Sequence, residues 1–328
     1  MVKPDGSVSE KQRGEGAKTG LIRNIYKNYG IFLVLLLFII ILWIATPNFM
    51  SWNNIINIIR QMTFVGLVGM GVTCAILTGG IDLSPGSIIA ASSVVTASFA
   101  LNHQYPVYVP VLAGLGVGLI AGFFNGLIIA KVKIPPFIVT LGTMTIAKGF
   151  ALLYCNGAPI SNLDPEFNFI GAGKFLEIPI PIIILAVFTV ITFVMLNNTK
   201  FGRHVYALGG NEQAAIISGI NVDRVKIIVY SYSGLLAGLA GIVLTARISS
   251  GAPASGTGME LDGIAAAVIG GTSFNGGVGS VLGTIAGALI IGVIGNGMDL
   301  LNVNMYWQQI VKGFIIIGAV ALDRVRSK

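Results

Sequence analysis

The chain of 328 residues is 54% hydrophobic and only 10% charged, with a mean hydropathy of +0.85. Soluble domains carry about 25% charged residues, so this chain lacks the charge to coat a globule, and the lipid bilayer is the solvent its apolar stretches require. The net charge of +7 does not mark a nucleic-acid partner, because the basic residues sit in short segments between apolar runs, where orientation signals are placed.

A membrane span takes roughly 20 mainly apolar residues. The runs here predict one all-α polytopic domain of about ten transmembrane helices. Residues 1–28 hold six cations (Lys3, Lys11, Arg13, Lys18, Arg23, Lys27) and read as a flexible cytoplasmic N-terminal tail. The first apolar run is not a cleaved signal: the lead is long, and no small-x-small site follows before Pro47. Span 1 is expected over 29–46, and Asn53 and Asn54 are placed to cap span 2, over 55–78. The break at 79–86 combines two glycines with Asp82, Ser84 and Pro85. Ser84 is expected as the N-cap and Pro85 as the first residue of span 3, over 85–101. Asp82 suits a helix start, where the dipole favours an anion.

Span 4 is expected over 107–130 and span 5 over 137–155, separated by Lys131, Lys133 and the pair Pro135-Pro136. A polar loop fills 156–178, and span 6 covers 179–196. Residues 197–226 form a basic polar stretch between two apolar runs. Span 7 (227–246) follows, then a Ser/Gly/Ala/Pro-rich segment. A short span 8 (260–271) must be sheltered by other helices. The Gly-rich turn at 270–277, span 9 (278–298) and span 10 (305–322) complete the domain. The organisation expected is a tail at 1–28, a transmembrane domain at 29–322 with the 197–226 loop inside it, and a basic cytoplasmic tail at 323–328.

Ten spans bring both termini to one side. Placing that side in the cytoplasm puts 15 of the 20 Lys and Arg residues inside, and the opposite orientation puts nearly all of them outside. Spans 2–5 and 7–10 then form halves of opposite orientation, as in inverted-repeat transporters. The Gly-rich breaks at 79–86 and 270–277 are the trace expected of that repeat. Gly114, Gly118, Gly122 and Gly126, like Gly279, Gly283 and Gly287, recur every four residues. They define helix faces where backbones approach closely, not a dinucleotide loop.

No catalytic constellation emerges. His103 and His204 fall on opposite sides, as do Cys74 and Cys155, and none has metal-ligand company. No span carries an acid near its middle with a basic partner, which weighs against an ion-coupled secondary carrier. Lys148 and Lys312 lie within spans and either snorkel or line a polar pathway. Neutral polar residues either satisfy contacts between helices or line a path for a hydroxyl-rich solute. Gln61, Thr78, Asn125, Thr140 and Asn296 are the path candidates. Within 197–226, Asn211 can cap a two-turn helix, with Glu212 in its first turn and Gly219 as a left-handed C-cap. A helix this short must dock, either on the domain's own inner surface or in a groove on a cytosolic motor.

Four ordered segments resemble one family. They are Ala207-Leu208-Gly209-Gly210-Asn211-Glu212 with Ala214, Ala215, Ser218 and Gly219; Asp82-Leu83-Ser84-Pro85-Gly86; Pro135-Pro136-Phe137-Ile138 with Thr140-Leu141-Gly142; and Glu260-Leu261-Asp262 with Gly270-Gly271-Thr272-Ser273. Together they are similar to the ribose/galactose-type permeases of ATP-binding-cassette importers, closest in wording to ribose permease subunits. Gly263 departs from the family's usual Ala. The resemblance implies a homodimer of ten-helix subunits in the bacterial plasma (inner) membrane, with the path at the interface. A cytoplasmic ATPase, holding ATP and Mg, would dock on 211–218. A periplasmic or extracellular sugar-binding protein would deliver the sugar, most simply ribose. The permease would bind no cofactor and catalyse nothing. Gly209, Gly210, Asn211, Glu212, Ala214, Ala215, Ser218 and Gly219 would form the coupling site. Permeases for another sugar or a branched-chain amino acid, and secondary carriers or channels, are the alternatives.

Overall fold

Long apolar runs punctuated by Gly, Pro and Asn fold as helices joined by tight breaks. The computed structural model describes residues 35–101 and 103–326, with side chains through 321. The expected tail at 1–28, the beginning of span 1 and the last two residues lie outside the described residues. Thirteen α-helices are present among them. They are α1 (Leu35–Ala45), α2 (Trp52–Leu77), α3 (Pro85–Phe99), α4 (Tyr108–Leu127, continued by a π-helical turn, Ile128–Val132), α5 (Pro136–Tyr154) and α6 (Pro165–Ala172). After these come α7 (Ile180–Asn197), α8 (Lys200–Gly210), α9 (Glu212–Ile217), α10 (Val222–Ile248), α11 (Met259–Ile269), α12 (Val281–Leu300) and α13 (Met305–Arg326). Six are long and apolar enough to cross a membrane: α2, α4 with its π-helical end, α5, α7, α10 and α12. This is an all-α polytopic membrane protein. Of the other expected spans, α1, α3 and α13 offer shorter apolar helices, and α11 is 11 residues long, with Gly263–Val268 wholly buried.

Local chemistry explains most boundaries. At the end of α2, Gly79 takes φ +77, its N–H donates to Ile76 O, and Gly80 N–H donates back to Ala75 O. This is a Schellman stop. The end of α11 repeats it, with Gly271 donating to Val268 O and Thr272 to Ala267 O. Two expected caps differ. Ser51, not Asn53 or Asn54, caps α2, accepting from Asn54 N–H. Ser84 makes no side-chain cap on α3, because its hydroxyl donates to Asp82 instead.

The halves 52–154 and 222–326 interlock by exchanging their first helices. Helix α10 packs on α3 and α4, and α2 packs on α11 and α12. Hydrogen bonds give the directions. Asn54–Asn296 and Thr73–Thr284 make α2 antiparallel to α12. Asp82–Ser233 and Ser93–Thr245 make α3 parallel to α10. Helices α2 and α10 are themselves antiparallel: the Arg247 guanidinium lies 5.6 Å over the Phe64 ring, while further along Gly71 faces Ser233. The glycine row of α4 does what its spacing predicts. Gly118, Gly122 and Gly126 lie directly on the α10 backbone at Gly234, Tyr230 and Ile227, so dispersion contact extends along both helices with no side chain between them. Helices α2, α10 and α12 are the most buried of the six spans, at 67%, against 22% for α5 and α7. The Gly-rich breaks are not equivalent positions of a repeat: 79–84 joins the first two helices of its half, and 270–280 joins the second and third of its own.

The polar segment 156–178 is more ordered than its composition suggests. It contains α6, and its β1 (Ile160–Ser161) pairs antiparallel with β2 (Ser250–Gly251), tying it to the end of α10. Asp164 accepts from His103 N–H at 3.0 Å, which holds the α3–α4 turn against α6.

Candidate functional site

The polar stretch 197–226 folds as two helices rather than one. Thr199 caps α8 by accepting from Gly202 N–H at 3.2 Å. Val205 and Leu208 are fully buried against the bundle, while the charges on α8 stay outside this stripe. The capping threonine and the three-residue spacing of Gly202, Val205 and Leu208 are the signal from which α8 is readable. Asn211 caps α9, accepting from Ala214 N–H at 2.9 Å, as its position predicts. Gly219 ends α9 with φ +80, its N–H on Ile216 O.

The end of α8 is set where both Gly-rich breaks converge. Gly277 N–H donates to Leu77 O at 3.0 Å, and Gly209 lies on this junction. A Cβ at Gly209 would stand 2.9 Å from the Leu77 carbonyl carbon, and nearer still to its oxygen and to Gly277 N. Gly276, at φ +82, packs in turn on Gly209 and Gly79. Tyr206 reinforces the seat, its hydroxyl donating to Gly279 O at 3.0 Å. Burial raises this phenol above its ordinary pKa, with a smaller push from Cys74, so it stays a neutral donor. One helix end thus touches the end of α2 and the α11–α12 turn, main chain on main chain.

Helix α9 is fixed differently. Ala215 is its one buried residue, and Glu212 pairs with Lys226 of α10 at 2.7 Å. Ile216 and Ile217 point outward, Ile217 at 86% exposure. Beside α9, a groove of about 640 Å³ runs to the Pro135–Pro136 turn, lined among others by Gln213, Ile216, Lys133 and Asp223. Of the eight coupling candidates, Gly209 is half-buried and Ala215 buried, while Gly210, Asn211, Glu212, Ala214, Ser218 and Gly219 are exposed.

The path candidates do not converge. Gln61 is exposed. Asn296 and Asn54 exchange amide hydrogen bonds at 2.8 and 2.9 Å. Thr78 donates to Ala75 O, and Thr140 to the carbonyls of Pro136 and Ile81. Asn125 donates to Ser84 Oγ at 3.0 Å and accepts from Thr143. That bond leads to Asp82, a hub absent from the candidate list. Its Oδ1 accepts from the Ser84 N–H and hydroxyl, and its Oδ2 from Ser233 at 2.7 Å. The network joins the α2–α3 turn to α4, α5 and α10. An acid inside an apolar domain was the available signal, but its partner Ser233 lies 151 residues away. Lys312, left between two readings, pairs with Asp262 of α11 at 2.8 Å. Among the described residues, no cluster of three His, Cys, Asp or Glu side chains could hold a metal ion.

The family described as "Branched-chain amino acid transport system / permease component" matches residues 54–320. The ribose import permease protein RbsC of Bacillus subtilis (strain 168) is 47% identical over 305 residues, covering 92% of this chain and 94% of that protein. The Escherichia coli (strain K12) protein of the same name is 44% identical, covering 90% and 93%. The L-arabinose transport system permease protein AraH of Escherichia coli (strain K12) is 37% identical, covering 98% of each. No solved structure matches the chain.

Proposed function

The chain belongs to the branched-chain amino acid transport system / permease component family, and from that premise we propose that it is the permease subunit of an ATP-driven, binding-protein-dependent importer of a monosaccharide, ribose. The family description names amino acids, but the relatives at 37–47% identity over nine-tenths of the chain are sugar permeases by name, which favours a sugar. The chain hydrolyses nothing. ATP and Mg belong to a cytoplasmic partner, and a periplasmic or extracellular binding protein supplies the sugar. The working unit is a homodimer of ten-span subunits in the bacterial inner membrane, with both termini cytoplasmic. Residues 1–28 and 323–328 are tails, and 29–322 form the membrane domain. The reciprocal exchange of α2 and α10, with their antiparallel course, supports the inverted halves.

The observation that carries the coupling role is the contact of Gly209 with Leu77 and Gly277. The exposed face from Gly210 to Gly219 receives the ATPase, and the end of α8 transmits its movement to both breaks at once. Coupling requires the ATPase to bind two conformations of the permease with different affinity. A main-chain seat suits that role because packed contacts shift between discrete arrangements rather than deforming smoothly. Of the path candidates, Gln61 is the exposed one. Thr78, Asn125, Thr140 and Asn296 bond to neighbours whose rearrangement would open the path.

The test is sugar uptake into proteoliposomes holding the chain, its ATPase and its binding protein, with ATP supplied to the ATPase. Ribose uptake that requires ATP and both partners is expected. Uptake by the chain alone, or driven by an ion gradient, would return it to the channel or secondary-carrier class.

A further inference from the structure

Helices α3 and α5 and the connection from α10 into α11 line an open cavity of about 360 Å³, the size of a small-molecule site. Six polar side chains face it: Ser87 of α3, Thr145 and Lys148 of α5, Ser255 and Thr257 of the connection, and Glu260 in the first turn of α11. Glu260 presses its carboxylate against Gly86, where no side chain could fit, and its Oε2 is buried with no hydrogen-bond partner. Lys148, exposed, lines the same cavity, and neither residue is in an ion pair among the described residues. The contrast is two residues along α11, where Asp262 is neutralised by Lys312 at 2.8 Å.

A buried carboxylate oxygen without a partner inside a membrane domain is costly, and side chains that carry one usually serve a pathway. A partner able to both accept and donate hydrogen bonds can meet the Glu260 oxygen and the Lys148 ammonium together. The four hydroxyls around them, from Ser87, Thr145, Ser255 and Thr257, extend the same two-way chemistry. A neutral polyol matches such a lining, since each of its hydroxyls donates and accepts. An apolar solute would leave the carboxylate and ammonium unsatisfied. Resting on the importer reading above, we propose that this cavity holds the monosaccharide during passage, with Glu260 accepting from sugar hydroxyls and Lys148 donating to them.

The assembled permease, with its ATPase and binding protein in proteoliposomes, is compared with its Glu260→Gln and Lys148→Met variants for D-ribose taken up per ATP hydrolysed. The expectation is a fall of at least tenfold in that ratio for each variant, and no change for Glu177→Gln, a carboxylate away from the cavity. Should either cavity variant fail to assemble, Thr145→Cys in a Cys155→Ser chain gives an independent readout. Ribose should slow its modification by a maleimide at least threefold in the turning-over complex. Wild-type ribose uptake with unaltered ratios in the variants, or with labelling indifferent to ribose, would overturn the site while leaving the importer reading intact. Wild-type uptake of leucine but not ribose would overturn the sugar reading, and the monosaccharide occupant with it.

Discussion

Adjacent glycines at the end of α8 offer a discriminating test of the coupling seat. At Gly209 an added Cβ meets backbone on two sides, within 3.0 Å of the Leu77 carbonyl and of Gly277 N, whereas ordinary contact begins at 3.4 Å. Neither neighbour can rotate away, so α8 must lift from the seat. Overpacking of this kind costs about 1–3 kcal/mol. At roughly 1.4 kcal/mol per factor of ten, that shifts the seated population by about five- to a hundredfold. At Gly210 a Cβ meets nothing within 4 Å, and replacing a helical glycine with alanine is favourable by about 0.5–1 kcal/mol. Gly209→Ala is therefore expected to lower ATP-dependent uptake at least fivefold while membrane insertion and partner binding persist. Gly210→Ala, on the proposed ATPase face but clear of the seat, is expected to keep most of the uptake. Uptake and ATP hydrolysis are measured on the same proteoliposomes, with thermal unfolding in detergent as a folding control. Equal behaviour of the two variants would refute the reasoning, because only Gly209 lies on the seat.

Three further outcomes follow from the same geometry. Glu212→Lys places like charges where Glu212 and Lys226 now meet at 2.7 Å; partner ATPase binding should weaken and be partly restored by adding Lys226→Glu, a pattern binding titration at low salt would reveal. Gly219→Pro removes an N–H that bonds Ile216 O and cannot reach φ +80. It should uncouple ATP hydrolysis from uptake, while Gly219→Asn, which tolerates the left-handed region, should keep most of the coupling. Ser233→Ala strips the 2.7 Å bond from Asp82 Oδ2 in the core. It should lower stability by about 1–3 kcal/mol, read as an earlier thermal transition of the purified protein.

What sequence alone determined here is local or periodic. The apolar runs name the helices, because hydration cost accumulates along the chain whatever the fold. Asn211 and Gly219 mark the ends of α9, because capping uses bonds within a few residues. The every-fourth glycines of α4 identify a packing face, because a helix repeats at nearly that interval. Tertiary structure decided what those features meet. Gly118, Gly122 and Gly126 contact α10 while Gly114 also meets α3, and Ser84 forgoes its cap because a buried carboxylate two residues back takes its hydroxyl. Asp82 finds Ser233, Asn54 finds Asn296, and Gly209 finds both Leu77 and Gly277, across separations no spacing rule encodes. A buried polar group or bare backbone must be matched in three dimensions, and the partner that matches it is chosen by the exchange of helices between the halves.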